Sequence, residues 1–419
     1  MRLLPVWKLA QFHGSNVHAG QLGFRKETFQ SQILGVSHAP GFDVTARRES
    51  LVRAPLKQPI LITGGCGFVG RHVVQHILRH GLTDHIWLVD TLFTGRHPAT
   101  WLPSSARCQG LSGSACSYQV GGIFVHFVQD DVRNFFRESL REKASLHQWN
   151  WGDVIHLASV VGGRSLIDGD PLLVATDLSI DAEMFCWARI AKPERILYAS
   201  SSAAYPIHLQ GHENALPLKE SYVEFGERIG LPDMTYGWSK LTGEYLSRIA
   251  ARSYGLQVSC VRPFSGYGED QETAYPVPAI AERTARKEDP LVVWGTGQQA
   301  RDFVYIDDCV EMMFRAMDDV NDGSAVNIGS GVLTSFLEVA RIFSGIASYS
   351  PSIEPQINNP VGVQNRYADT TLLSQRFQWV PRTSLADGFR RVYDSAVGRL
   401  HGNDWFRITY EDSHSYDHH

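Results

Sequence analysis

The feature that most constrains this chain is a glycine-rich turn set between a buried apolar run and a helical pattern. PILITGG, from Pro59, reads as a buried strand, and TGGCGFVG, from Thr63 to Gly70, opens a helix running from about Phe68 to Arg79. Gly64, Gly67 and Gly70 are spaced GxxGxxG. Glycine there lets the backbone bend, approach a pyrophosphate closely and pack the helix onto the strand. The amides of Phe68 and Val69 belong to the helix N-terminus, where N–H donors and the positive dipole end favour an anion. The next strand, HIWLVD, ends at Asp90, 20 residues after Gly70, where a carboxylate accepts hydrogen bonds from an adenosine ribose. That charge repels a 2′-phosphate, so NAD is favoured over NADP, with Arg96 in TLFTGR keeping NADP as the second choice. Asp131 and Val132 follow a third strand and are placed to hold the adenine edge, and Leu157 and Ala158 in DVIHLAS are counted with the cofactor site.

Further along, GIFVHFVQD, DVIHLAS, RILYASS and LQVSCVRPF read as strands alternating with helical patterns. Such alternation indicates βαβ units and a mainly parallel sheet. The expected fold is therefore α/β, a Rossmann-type doubly wound parallel sheet with a smaller, interleaved C-terminal substrate-binding lobe. The boundaries expected are an N-terminal extension over 1–57, which shows no sustained helix or strand period, a cofactor domain over 58–262, a lobe over 263–401 and a tail over 402–419. AVNIG, from Ala325, reads as a strand returning from the lobe to the core. The run Pro103–Gly122 is long and rich in Gly and Ser for a connection, so it reads as an inserted surface loop.

With 43% hydrophobic residues the chain can bury a sizeable core, and a net charge of −5 argues against a nucleic-acid partner. Six cysteines without a CxxC pair read as reduced, intracellular thiols, with Cys108 and Cys116 in one loop as the exception to watch. No run approaches the roughly 20 apolar residues of a spanning helix, and the N-terminus lacks a signal-peptide core. A cytoplasmic protein with no membrane partner and no metal is expected.

Tyr236-Gly237-Trp238-Ser239-Lys240 starts a helical segment, and the i, i+4 spacing puts Tyr236 and Lys240 on one face. A free tyrosine has a pKa of about 10. A neighbouring ammonium stabilises the phenolate and lowers that value, making Tyr236 a base for a sugar hydroxyl while Lys240 also bonds the nicotinamide ribose. Ser200, Ser201 and Ser202 end the strand RILYASSS and offer a hydroxyl to steady the reacting oxygen.

TGGCGFVG, LVDTLFTGR, DDVRN, VIHLAS, YASSSAAYP, YGWSK, VRPFSGYG and RDFVYIDD together resemble the NAD-dependent epimerase/dehydratase family of extended short-chain dehydrogenases, from about Pro59 to Leu400. The resemblance implies that Ser201 is the catalytic hydroxyl with Ser202 as fallback and substrate contact, Tyr236 the acid/base and Lys240 its helper. It also implies a homodimer through the Tyr236–Lys240 helix and its neighbour. VGG (Val161 to Gly163), SSSAAYP and WGTGQQARDF are especially similar to GDP-mannose 3,5-epimerase and GDP-fucose synthase. Those enzymes carry a cysteine where this chain has Ala203, and a second acid/base near Tyr275-Pro276, where no His or Lys occurs.

Dehydratases and decarboxylases of the family carry an acid one or two positions after the catalytic Ser/Thr; here Ser202 and Ala203 stand there. The remaining chemistry is hydride removal and return through a transient keto-sugar, with inversion at C4 favoured. A nucleotide-sugar dehydrogenase or 4-ketosugar reductase is the alternative, and a non-catalytic NAD-binding protein ranks below both. Arg301 and Arg366 match the family's diphosphate-binding arginines, and Trp294 is placed to flank the base. Ser265 and Asp177 stand where the family has asparagines, Ser265 as a shorter phosphate donor and Asp177 as an unusual charge near the nicotinamide. The expected partner is a nucleotide-diphosphate sugar.

Overall fold

The computed structural model describes residues 59–402 except 111–114, 142–149, 212–214 and 227. The expected N-terminal extension and nearly all of the expected tail lie outside the described residues.

The parallel core starts with β1 (Ile60–Thr63), β2 (His85–Asp90), β3 (Arg107–Gly110), β4 (Ala115–Val120), β5 (Ile123–Gln129), β6 (Asp153–His156), β7 (Arg195–Ala199) and β8 (Val258–Pro263). With the strand Asp322–Ile328 they form one nine-stranded sheet, ordered Asp322–Ile328, β8, β7, β6, β1, β2, β5, β4, β3. All pairs from Asp322–Ile328 to β5 are parallel. The strand order reverses at β1, which pairs β2 on one side and β6 on the other. A crevice outside the carboxyl ends at such a switch point is where ligands bind in doubly wound sheets.

The apolar runs read from the sequence are central strands covered on both faces, so they need not alternate with polar residues. Ile60 and Ile62 face one core cluster, whereas Leu61 between them faces the other. Helix Phe68–His80 packs into the first cluster through Val73, Val74 and Ile77. Its exit is a left-handed Gly81, whose amide bonds back to Ile77. Helix Thr176–Ala191 covers the opposite face through Met184, Phe185 and Trp187.

The Pro103–Gly122 segment corrects the expectation of a loop. β3 and β4 form an antiparallel hairpin, and β4 pairs antiparallel with β5, extending the sheet by two strands. Tyr118 and Val120 are buried there, which anchors a segment that composition alone marks as a linker. Cys108 and Cys116 lie on these two strands as free thiols.

Beyond β8 the chain builds short paired strands. Ser265–Tyr267 pairs with Phe303–Tyr305, and Ala300–Arg301 pairs with Asn365–Arg366. The strand Asp322–Ile328 then returns to pair with β8, as AVNIG suggested. A buried charge cluster fastens this part to the first helix: Arg71 Nε donates to Asp270 at 2.9 Å, and His72 Nε2 bonds its other oxygen at 2.8 Å. Burial pushes the His72 imidazole down, but Asp270 and, after it, Asp307 outweigh it and carry the pKa up to about 9. Against its own burial, Asp270 is held at about 2 by His72 and Arg71. Among the described residues no helix is long and apolar enough to cross a membrane.

Candidate active site

At the end of β1, Gly64 takes φ +68°, in the left-handed region, and an added Cβ would stand 2.7 Å from the Ala158 amide nitrogen. At Gly70 a Cβ would stand 2.6 Å from both the Gly64 carbonyl oxygen and Gly65 Cα. Only glycine permits this turn and this seating of the helix. Gly67 is the N-cap, and no side chain caps the first turn containing Phe68, Val69 and Gly70. A backbone cradle that any Cβ would fill, ending in an uncapped helix N-terminus, fits a pyrophosphate.

Leu157 and Ala158 leave β6 beside this cradle, bonded to Thr63 through their amides at 3.0 and 3.3 Å. Asp90 reaches the turn from β2, accepting N–H bonds from Cys66 at 2.9 Å and Leu92 at 2.8 Å. Its burial raises the carboxyl above the ordinary range while those amides pull it down. Arg96 is exposed, and its amide donates to the Cys66 carbonyl at 2.9 Å.

The adenine-edge pair is also engaged within the protein. Asp131 is an N-cap, accepting from the Arg133 amide at 2.9 Å and the Arg133 guanidinium at 2.6 Å. The Val132 side chain is buried in the second core cluster, which leaves only its backbone for a ligand. The DDVR sequence reads equally as a helix start, and the helix takes both side chains.

The serine cluster divides by role. Ser200 donates to the buried Glu244 at 2.5 Å, inside a network with Arg262, and so belongs to the core. Ser201 stands where the strand gives way to a short turn, its hydroxyl oxygen accepting from the Ala203 amide at 3.1 Å, and it draws the Tyr236 phenol down. Tyr236 lies in the first turns of helix Met234–Tyr254. Gly237, next to it, lets that helix press onto the serine turn; a Cβ there would meet the Ala203 carbonyl at 2.4 Å. Lys240 is 4% exposed, with Nζ 5.7 Å from the Tyr236 ring centroid and 5.6 Å from that of Tyr198.

The expected lowering of the Tyr236 phenol is reversed in the folded protein. Burial pushes it up, Lys240 and Ser201 pull it down, and Asp177 and Asp181 push it up again, leaving it above the ordinary value. Lys240 is likewise raised: burial works against the ammonium, but Tyr236, Asp181 and Asp177 outweigh it. Asp177, which the sequence marked as unusual, is fully buried and accepts from the Ser159 hydroxyl and the Val160 amide, both at 2.6 Å. It thereby fixes the start of the loop that leads to Gly163, whose residues from Val161 line the cleft.

That cleft, of about 770 Å³, brings together Ser201, Ser202, Tyr236, Ser265, Trp294, Arg301 and Arg366. Arg301 and Arg366 are direct cross-strand partners although distant in sequence. Arg301 donates to the carbonyls of Ala300, Gln364 and Val361, and burial followed by Arg366 pushes it down to about 9. Arg366 donates to Asp233 at 2.8 Å. Sequence reading missed Arg164, Arg283 and Asp233, which also line the cleft. No motif marks them, and only a pattern of separated residues converging in space reveals them. Tyr275, in the same cleft, is raised by burial and by Tyr236, so it stands as a second protonated hydroxyl.

The family model described as "NAD dependent epimerase/dehydratase family" matches residues 60–329. GDP-mannose 3,5-epimerase 1 of Oryza sativa subsp. indica is 32% identical over 247 residues, 57% of this chain, and the match spans 63% of that relative, less than two thirds of its length. A putative UDP-glucose 4-epimerase of Methanocaldococcus jannaschii is 28% identical over 350 residues, covering 80% of this chain and 96% of that one. Among solved structures, the UDP-glucose 4-epimerase of Thermus thermophilus in complex with NAD shares the fold with TM-score 0.65 and 21% identity, over 81% of this chain and 99% of that one. The doubly wound parallel sheet agrees with these comparisons: this chain belongs to the NAD-dependent epimerase/dehydratase family and uses NAD.

Proposed function

We propose that this chain is a nucleotide-sugar epimerase that inverts C4 through a transient keto-sugar. The observation carrying the reading is that Ser201 and Tyr236 share one cleft with an arginine cluster suited to a diphosphate. Gly64, Gly67, Gly70 and Asp90 would hold NAD, with Lys240 at the nicotinamide ribose; bound NAD supplies the hydride acceptor and donor. Ser201 donates to the sugar oxygen, and Tyr236 takes its proton and later returns it. A phenol raised by burial is brought toward neutrality by positive charge placed beside it. Lys240, buried against the Tyr236 and Tyr198 rings, is held ready to supply part of that charge.

Arg301 and Arg366 anchor the diphosphate, Ser265 bonds it and Trp294 flanks the base. Ala203, 3% exposed, supplies no proton where the resemblance to GDP-mannose 3,5-epimerase implies a cysteine, which favours C4 over C3 or C5. We place the cofactor domain at 58–262 and the substrate lobe at 263–401. A homodimer is also part of this reading. Trp238 and Tyr245 are 42% and 48% exposed on the Tyr236 helix, and Leu178 is 40% exposed on the helix packed beside it. Sedimentation of the purified protein as a monomer would remove that element.

The decisive experiment incubates the protein with a panel of nucleotide sugars, with and without added NAD+, followed by NMR and by NADH absorbance. Inverted sugar without net NADH is expected, and Tyr236→Phe should lower turnover about 10²–10⁴-fold. Stoichiometric NADH would instead establish the dehydrogenase or reductase alternative.

A further inference from the structure

The cationic end of the cleft holds more positive charge than its own residues neutralise. Three guanidinium groups, Arg164, Arg301 and Arg366, stand close together there against two carboxylates, Asp233 in the cleft and Asp168 beside Arg164. Arg164 Nη1 donates to both Asp233 oxygens at 3.0 and 3.1 Å, and Arg366 Nη2 donates to one of them at 2.8 Å. Arg301 makes hydrogen bonds only to carbonyl oxygens among the described residues. Asp233 is 7% exposed, so a single buried carboxylate serves two arginines while a third has no carboxylate. Buried like charges disfavour one another's charged forms, and an anion placed among them relieves that repulsion. A diphosphate carries two negative charges at neutral pH, one to match this excess and one to take the place of Asp233.

We propose that Arg164 is a third guanidinium of the diphosphate site and that Asp233 is the site's resident counter-anion, displaced from its arginines when the diphosphate enters; this rests on the nucleotide-sugar reading above. Asp233 suits such a role because of where it sits. It is the N-cap residue of the Tyr236 helix, yet its side chain caps nothing there, because both oxygens are taken by the arginines. Its backbone is pinned independently, the amide donating to the Ala203 carbonyl at 3.0 Å and the carbonyl accepting from Gly237 at 2.8 Å. The carboxylate can therefore let go of the arginines without moving the helix. Arg164 stands on the short helix Arg164–Gly169, and Asp168 holds its Nε at 2.8 Å, so it keeps a partner when Asp233 is displaced.

The test titrates the NAD-saturated full chain with inorganic pyrophosphate, orthophosphate, UDP and GDP by calorimetry. Wild-type protein should prefer pyrophosphate to orthophosphate. Arg164→Gln should weaken pyrophosphate at least about tenfold, as expected for losing a charged hydrogen-bond donor, and Arg164→Lys should fall between. Asp233→Asn should bind pyrophosphate several-fold more tightly, because it removes a competing anion; a merely structural role predicts the opposite sign. Near-UV circular dichroism and NAD affinity report whether each variant is folded, and the lysine variant decides the matter where the glutamine variant is not. Arg164→Gln within twofold of wild type, with Arg301→Gln impaired, overturns the role of Arg164 and leaves the substrate reading intact. Weaker binding by Asp233→Asn overturns the counter-anion. Failure of wild-type protein to bind pyrophosphate, UDP or GDP overturns both the inference and the diphosphate reading.

Discussion

At the glycine turn the binding surface is made by backbone within one short stretch, from Gly64 to Gly70, whereas the cationic end of the cleft is assembled from side chains on separate elements. Arg164 and Asp233 lie 69 residues apart, and Asp233 and Arg366 lie 133 apart. The first surface is selective through shape: a methyl group at Gly70 would collide with backbone at 2.6 Å. The second is selective through charge, with guanidinium groups held close at a cost that an anion offsets. One region therefore tolerates changes of salt and not of volume, and the other the reverse.

The largest effect is expected where the two regions are joined. Asp270→Asn should destabilise the fold by up to about 3–5 kcal/mol, since it takes this carboxylate from buried Arg71 and from His72, which keeps Asp307. Denaturant unfolding measures it, and a loss below about 1 kcal/mol would show that the regions are held together elsewhere. The pH dependence has a definite sign. Because His72 is raised from 6.5 to about 9 in the folded protein, its contribution is complete below 6.5 and is lost as pH rises through about 9. His72→Gln should flatten that alkaline decline in Tm. Asp270, depressed from 3.8 to about 2, contributes above 3.8 and loses its contribution as pH falls through about 2.

Next in size is Gly70→Ala, for which overpacking of about 1–3 kcal/mol is expected. Its NAD affinity should fall equally at low and high salt, whereas binding of an anion at the arginine cluster should weaken as salt rises. Fluorescence titration at two ionic strengths compares them directly; equal salt sensitivity at both sites would break the contrast between shape and charge. The smallest effect is expected for Asp177→Asn. Removing that carboxylate takes away a charge that raises both the Tyr236 phenol and the Lys240 ammonium, so the limb on which the rate rises with pH as Tyr236 ionises should move to lower pH. Asp181 remains beside Lys240 in this variant and keeps part of the effect. An unmoved limb would mean that Tyr236 does not govern it.

The parts of the site legible in the sequence are those whose chemistry depends on neighbours along the chain. GxxGxxG, Asp90 at the end of its strand, the serine cluster and the i, i+4 pair Tyr236 and Lys240 all fall into this class. What the sequence misread or left open has the same physical root. DDVR carries a helix-cap signal and a cofactor signal at once, and the cap engages the Asp131 side chain. The Gly/Ser-rich run at Pro103–Gly122 looks like a linker until β5 offers an edge on which β4 can pair. A tyrosine beside a lysine is lowered by that lysine, but the sequence does not say how deeply burial and Asp177 and Asp181 push the other way.

By itself the sequence determined the alternation of strands and helices, the glycine cradle after β1 and the serine, tyrosine and lysine positions of the candidate site. These follow from periodicity and short-range geometry, which are properties of adjacent residues. Only the tertiary structure decided which serine meets Tyr236, that Asp270 ties the first helix to the later strands, and that Arg164 and Arg366 share Asp233. Those outcomes depend on burial and on distances between residues far apart in the chain, and both come into being only when the sheet is formed.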